Sequence, residues 1–221
     1  MKKEISASIM CADLTDLRPA IRELEKANIE YIHIDIMDGT FVPNITLGFD
    51  LVNAIKKVTS IPLDVHMMVK EPIRFVDRMK SLDGNDFIVV HYEADEDIAD
   101  TLRKIRAQGC KAGLAINPDT PVEAVRGILS LADMFLVMTV HPGFAGQKII
   151  PNAEEKVESA VALLKELELN IPIQVDGNMS LENGRKLCLK GADIFVLGTS
   201  ALFLKDKSIE DAAVDFRAVL V

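Results

Sequence analysis

Along the chain, short runs of consecutive apolar residues alternate with longer stretches in which apolar residues recur every three or four positions. The short runs read as strands buried on both faces, the longer ones as helices with one apolar stripe. Residues 5–10 form the first expected strand, and Asp13 opens a helix carrying Leu14, Leu17, Ile21 and Leu24. A strand over 31–37 is followed by a Gly/Pro/Asn loop and a helix through Leu51, Ala54, Ile55 and Val58. A third strand, 63–68, leads to a helix from Glu71 with Pro72 in its first turn, where a missing N–H does no harm. Strand 86–92 precedes a helix through Ile98, Leu102 and Ile105; strand 111–116 precedes one through Val122, Val125 and Leu129. Strand 134–140 leads to the longest loop, 141–151, and a helix through Val157, Val161, Leu164 and Leu167. Strands 171–175 and 193–197 each precede one more helix.

Eight strand-helix units without a change of composition predict one domain over 1–221, most economically closed as an α/β protein of the (β/α)₈ TIM barrel type. A doubly wound open sheet is the alternative, but no G-x-G-x-x-G follows the first strand. The 221 residues carry a formal charge of −9, which argues against a nucleic-acid partner. No apolar run approaches the roughly eighteen residues of a membrane span, and the N-terminal apolar run, broken by Ser6 and Ser8, does not read as a signal peptide. Cys11, Cys110 and Cys188 are odd in number and lack C-x-x-C spacing, so a reducing cytoplasm is expected.

A barrel does its chemistry at the C-terminal ends of its strands, and the polar residues there are selective. Within Tyr31–Met37 the period of two places His33 and Asp35 on one face and three isoleucines on the other. A core histidine beside a capping aspartate is the plain reading of that fragment alone. All four histidines, however, fall at or near strand ends, namely His33, His66, His91 and His141, with carboxylates at Asp35 and Asp176. The best chemical assembly is a divalent metal site of His33, Asp35, His66 and Asp176, a mixed donor set suited to Zn, Fe, Mn or Co. Asp35 and Asp176, from strands two and seven, would approach a substrate from different sides, as proton removal on one face and return on the other requires. Glycine-rich turns holding Gly143, Phe144, Ala145, Gly146, then Gly177, Asn178, then Gly198, Thr199, Ser200 follow strands six, seven and eight and predict a phosphate site built on main-chain N–H groups. Ser8 could add a hydroxyl. Met37, Met68 and Met138 are expected as soft core filler that also lines the pocket and keeps water from a carbanionic intermediate. His91 is expected to be structural or to support a ligand from behind rather than to be one, and His141 has no assigned role.

With these residues in hand, the chain resembles the ribulose-phosphate 3-epimerase family over essentially its whole length. The resemblance rests on His33-Ile-Asp-Ile-Met-Asp-Gly39, Phe41-Val-Pro-Asn44, Leu63-Asp-Val-His-Met-Met-Val69, Asn117-Pro118 with Thr120-Pro121, Val140-His-Pro-Gly-Phe-Ala-Gly-Gln147 and Val175-Asp-Gly177. It implies the barrel fold, one divalent ion on His33, Asp35, His66 and Asp176, and Asp35 and Asp176 as the acid/base pair. Substrate and phosphate contacts are implied at Ser8, His66, 143–146, 176–178 and 198–200. The implied reaction is epimerisation at C3 of a ketose phosphate through an enediolate, the metal acting as Lewis acid and no nucleotide cofactor taking part. Met10-Cys11-Ala12-Asp13, Ala145, Asn178 and Gly198-Thr199-Ser200-Ala201 depart from the common family pattern and resemble the allulose-6-phosphate 3-epimerase branch. Asn44-Ile-Thr-Leu-Gly48 and His91-Tyr-Glu-Ala94 lean the other way. D-allulose 6-phosphate is therefore the expected substrate and D-ribulose 5-phosphate the alternative. Decarboxylase and aldolase relatives resemble an Asp-x-Lys-x-x-Asp pattern that is absent here. A barrel that only binds a sugar phosphate would have no use for a carboxylate on each side of it. A cytoplasmic homo-oligomer with a small sugar phosphate as its partner is expected.

Overall fold

The computed structural model describes residues 1–220. Eight parallel strands close into a barrel in chain order: β1 Glu4–Ser8, β2 Tyr31–Met37, β3 Leu63–Met68, β4 Phe87–His91, β5 Lys111–Ile116, β6 Met134–Met138, β7 Ile173–Asp176 and β8 Ile194–Leu197. Six α-helices cover it: α1 Leu17–Lys26, α2 Phe49–Lys56, α3 Ile98–Ala107, α4 Ala153–Glu166, α5 Leu181–Lys190 and α6 Ile209–Val219. None of the described helices is long and apolar enough to cross a membrane.

Alternation along each strand sorts the side chains. On β2, Ile32, Ile34 and Ile36 enter the layer between sheet and helices, while His33 and Asp35 turn into the barrel. The register then sets His33 beside Asp64 and Asp35 beside His66. A second, smaller apolar cluster of Phe87, Val89, Ala115, Met134, Leu136, Met138, Val140 and Ile194 packs apart from the main one. At Gly113 a Cβ would lie 2.7 Å from Val89 Cγ2, so only glycine lets β5 pass that close to β4.

At the N-terminal pole one device occurs four times. The acid just before an even-numbered strand accepts the N–H at the start of the preceding odd-numbered one: Glu30 from Ile5 (3.0 Å), Asp86 from Leu63 (2.7 Å), Asp133 from Ala112 (2.9 Å) and Asp193 from Ile173 (3.2 Å). Each acid also faces a cation, respectively Arg217, Lys56, Arg106 and Lys3. These carboxylates tie the strand pairs together where no chemistry takes place.

Two expected helices are not formed. After β3 the chain makes 3-10 turns at Pro72–Arg74 and Val76–Arg78, and after β5 at Val122–Val125 and Leu129–Leu131. Buried residues there recur at a spacing of three (Val76 and Met79, Val122 and Val125), which i→i+3 bonding satisfies. Gly127 and the Ser81-Leu-Asp-Gly84 stretch lack the propensity to extend either segment into an α-helix. The first helix begins at Leu17 rather than Asp13: Asp16 accepts from Arg18 N as its cap, while Asp13 holds Thr15 in a turn and Leu14 stays exposed. The first strand stops at Ser8, and Ile9–Cys11 form a single 3-10 turn.

Candidate active site and metal centre

The polar face of β2 meets those of β1, β3 and β7 inside the C-terminal half of the barrel. Donor atoms of His33, Asp35, His66 and Asp176 all lie within 4.8 Å of one another. His33 Nε2 is 3.2 Å from Asp35 Oδ1 and 3.7 Å from Asp176 Oδ2, and His66 Nδ1 stands at the same two distances from the same two oxygens. Around the ring β2 and β7 are separated only by β1 and β8, so the two carboxylates reach the imidazoles from different walls.

A further layer of residues fixes the donors. His33 Nδ1 lies 2.7 Å from Asp64 Oδ2, which also accepts from Ser6 Oγ (2.7 Å) and Gln174 Nε2 (2.6 Å). With Nδ1–H committed to that carboxylate, Nε2 is the nitrogen left to face the centre. Ser8 Oγ donates to Asp35 Oδ2 at 3.1 Å. Burial opposes a charge on His33, yet Asp64 and Asp35 hold its pKa well above the usual imidazole value. Against the same desolvation, His33 and His66 hold the Asp35 carboxyl well below the carboxylate range. Burial pushes Asp176 up to about 7, with His33 opposing and Asp35 and Asp64 adding to the rise. His66 is drawn below its ordinary value by burial.

The donor set fits a divalent cation. Two imidazole nitrogens and two carboxylate oxygens converge, both outer imidazole nitrogens are engaged by neighbours, and the centre concentrates positive charge on His33 between two acids. A cation placed there would replace that charge.

Above the centre opens a cleft of about 620 Å³. Its lining brings together Ser8, Asp35, Asp176, the three methionines Met37, Met68 and Met138, and all the rim residues expected from sequence: Gly143, Phe144, Ala145, Gly146, Gly177, Asn178, Gly198, Thr199 and Ser200. His33 and His66 are fully buried and do not line it; His66, expected also as a substrate contact, is therefore below the cleft. Gly177 has φ +127°, and a Cβ there would meet the Val140 backbone N at 2.8 Å, so the turn after β7 requires glycine. Asn178 adopts φ +51°, the left-handed region that asparagine and glycine share, which explains how it stands where the family pattern has glycine. His141 is exposed at the rim, 3.7 Å from Asp119.

The sequence reading missed Asp64, Ser6 and Gln174. Each lies two residues before a selected one (His66, Ser8, Asp176), so the alternation that found His33 and Asp35 would have found them too. Glu93, which His91 Nδ1 approaches at 3.3 Å, was missed as well; it lies two residues after His91, beyond the end of β4. Burial takes His91 down to about 4, while His91, Thr120 and the Asn117 N–H overcome desolvation to bring Glu93 down to about 2.

A closed parallel barrel with a four-donor, cation-competent centre beneath a glycine-rich rim defines a (β/α)₈ protein built for chemistry at its C-terminal pole. The sequence profile of the ribulose-phosphate 3-epimerase family matches residues 4–203. Relatives named ribulose-phosphate 3-epimerase include those of Bacillus subtilis (38% identical, covering 92% of this chain and 94% of the relative) and Chlamydia muridarum (42%, 93% and 92%). The Methanocaldococcus jannaschii protein of that name is 37% identical over 96% of this chain and 92% of its own. This chain belongs to the ribulose-phosphate 3-epimerase family. Among solved structures, a 3-hexulose-6-phosphate synthase (TM-score 0.68, 17% identical, covering 99% of this chain and 100% of the other) shares the fold. So does a mutant tryptophan synthase alpha-subunit from Pyrococcus furiosus (TM-score 0.69, 16% identical, 100% and 99%).

Proposed function

We propose that the chain is a cation-dependent epimerase that inverts C3 of a D-ketose phosphate, with Asp35 and Asp176 as its acid/base pair. The observation that carries this reading is the convergence of two carboxylates, from different walls of the barrel, on the same two imidazole nitrogens at the floor of the cleft. One carboxylate oxygen takes the C3 hydrogen as a proton, and the other delivers a proton to the opposite face. A divalent cation (Zn, Fe, Mn or Co) held by His33, Asp35, His66 and Asp176 supplies Lewis-acid polarisation of the substrate oxygens. Ser8 steadies Asp35 and offers its hydroxyl to the substrate. Main-chain N–H groups of the turns at 143–146, 177–178 and 198–200 receive the phosphate, and Met37, Met68 and Met138 keep water from the reacting carbon. The proposal extends to a cytoplasmic homo-oligomer; the compartment is supported by an odd number of cysteines without C-x-x-C spacing.

The names of the relatives support D-ribulose 5-phosphate to D-xylulose 5-phosphate as the reaction. A second reading, D-allulose 6-phosphate to D-fructose 6-phosphate, is favoured by one observation: Met10, Cys11, Ala145, Asn178 and Thr199, all departures from the common pattern, line the same cleft. Rates on the two sugar phosphates, measured side by side with metal content and after chelation, separate them. Turnover of one at least about tenfold faster than the other, lost on chelation and restored by a divalent ion, is the expected result. Binding of both without turnover would leave only a sugar-phosphate-binding barrel.

A further inference from the structure

His66 reaches the centre through Nδ1, and its other nitrogen does not meet solvent or a main-chain carbonyl. Nε2 of His66 lies 2.8 Å from Nε2 of His91, with the rings stacked at 24° and a centroid separation of 4.9 Å. Two ring nitrogens at that distance need one donor and one acceptor. Both rings are fully buried, which favours their neutral forms. The choice between them is then made at the far side of His91, where Nδ1 faces Glu93 Oε2 at 3.3 Å. A carboxylate only accepts, so the hydrogen of His91 sits on Nδ1 and its lone pair on Nε2. His66 then donates from Nε2 and turns the lone pair of its Nδ1 toward Asp35 and Asp176; Asp35 Oδ1, 3.2 Å from that Nδ1, would pull the pair into the opposite tautomer, so the two end carboxylates compete and Glu93 biases the pair toward the form a cation needs.

We propose that Glu93 is a positioning residue of the centre: acting through His91, it fixes His66 in the tautomer whose Nδ1 is free to hold a cation. The inference rests on the reading of His66 as a cation donor. Glu93 is itself immobilised from the outside of the barrel. Its Oε1 accepts from the Asn117 N–H (2.8 Å) and from Thr120 Oγ1, in the turn after β5. That turn is clamped by Lys156 of α4, whose buried ammonium donates to the carbonyls of Asn117 (2.7 Å), Pro118 (2.8 Å) and Thr120 (2.6 Å). A chain of contacts thus runs from α4 through the turn, Glu93 and His91 to His66. Phe41 packs against the His91 ring at 4.8 Å between centroids.

The test uses metal-stripped protein labelled with ¹⁵N in its imidazoles. Long-range proton–nitrogen correlation of the unaltered chain should show His91 protonated at Nδ1 alone and His66 at Nε2 alone. Glu93→Ala should make the His66 pattern a mixture of tautomers and lower Co²⁺ affinity, followed by its visible absorbance, by about 10- to 100-fold. Glu93→Gln, which keeps an acceptor oxygen, should recover most of that loss. Thr120→Val removes one of the two donors on Glu93 Oε1 but leaves the Asn117 N–H and the carboxylate facing His91, so it should keep the tautomers of the unaltered chain and lower Co²⁺ affinity less than Glu93→Ala does. If Glu93 merely anchored the turn, Thr120→Val and Glu93→Ala would lower affinity alike, and the proposal would be overturned. The unaltered chain decides the matter even if a variant does not fold: His91 protonated at Nε2, or at both nitrogens, ends the proposal. Failure of Co²⁺ to shift the His66 resonances would instead strike the assignment of His66 as a donor, with the tautomers still telling whether Glu93 sets them.

Discussion

At the N-terminal pole Glu30, Asp86, Asp133 and Asp193 each accept a main-chain N–H from the adjoining strand and face a lysine or arginine; at the C-terminal pole Asp35 and Asp176 face two imidazoles. Both sets sit at strand ends, and their burial overlaps. What differs is the partner. A carboxylate whose lone pairs are taken by peptide N–H groups and a lysine or arginine is held in place as a fastening, whereas one whose partners are imidazoles can exchange a proton with them. The same residue type is architecture at one end and candidate chemistry at the other.

Exchanging Asp for Asn at each pole should separate these roles. Asp176→Asn should reduce epimerisation by about 10²- to 10⁴-fold without lowering the thermal midpoint, since that buried carboxyl carries a desolvation cost. Solvent deuterium entering C3 of both epimers in this variant would break the two-carboxylate scheme. Asp86→Asn should do the reverse. It removes the charge that Lys56 (2.7 Å) is paired with at a fully buried position, and should lower stability in urea by about 3 kcal/mol while leaving Co²⁺ affinity in place. A loss of affinity as large as the loss of stability would show that the poles are not independent.

The pH dependence of cation uptake sharpens the contrast further. In the cation-free protein His33 and Asp176 both have values raised above their ordinary ones, so both are protonated at pH 6, and a cation must displace both protons. Affinity should climb about a hundredfold per pH unit below pH 7 and about tenfold per unit above it, until His33 has lost its proton. Calorimetry in buffers of differing ionisation heat counts the protons released. The stability of the cation-free fold should run the opposite way through Asp176: a raised carboxyl contributes most below its ordinary value, and that contribution is lost as pH rises through about 7. Flat affinity across this range would remove both groups from the donor set.

The period-two pattern at Tyr31–Met37 was enough to place His33 and Asp35 inside the barrel, because a strand with one covered face has a single workable register. The rim glycines were legible for a different reason: backbone at φ +127°, as at Gly177, tolerates almost nothing else. The role of Glu93 was not legible, although its spacing of two from His91 was. That residue sits on a 3-10 turn at Tyr92–Ala94, and its partners Asn117 and Thr120 come from another loop, so its importance arises only when β4 and β5 are side by side. The helices wrongly expected after β3 and β5 fail for a local reason. Their apolar spacing fits a three-residue period as well as a 3.6-residue one, and the poor helix formers at Gly127 and over Ser81-Leu-Asp-Gly84 tip the balance, whereas the equally short β7–β8 connection carries α5.

Those two 3-10 stretches have a consequence for how the barrel comes apart. Where α-helices would shield the sheet with long cooperative ladders, the wall outside β3 and β5 is fastened by isolated turns that can let go one at a time. Main-chain amides of those turns should therefore exchange with solvent sooner than those of the six helices, on the side where His91 and Glu93 lie.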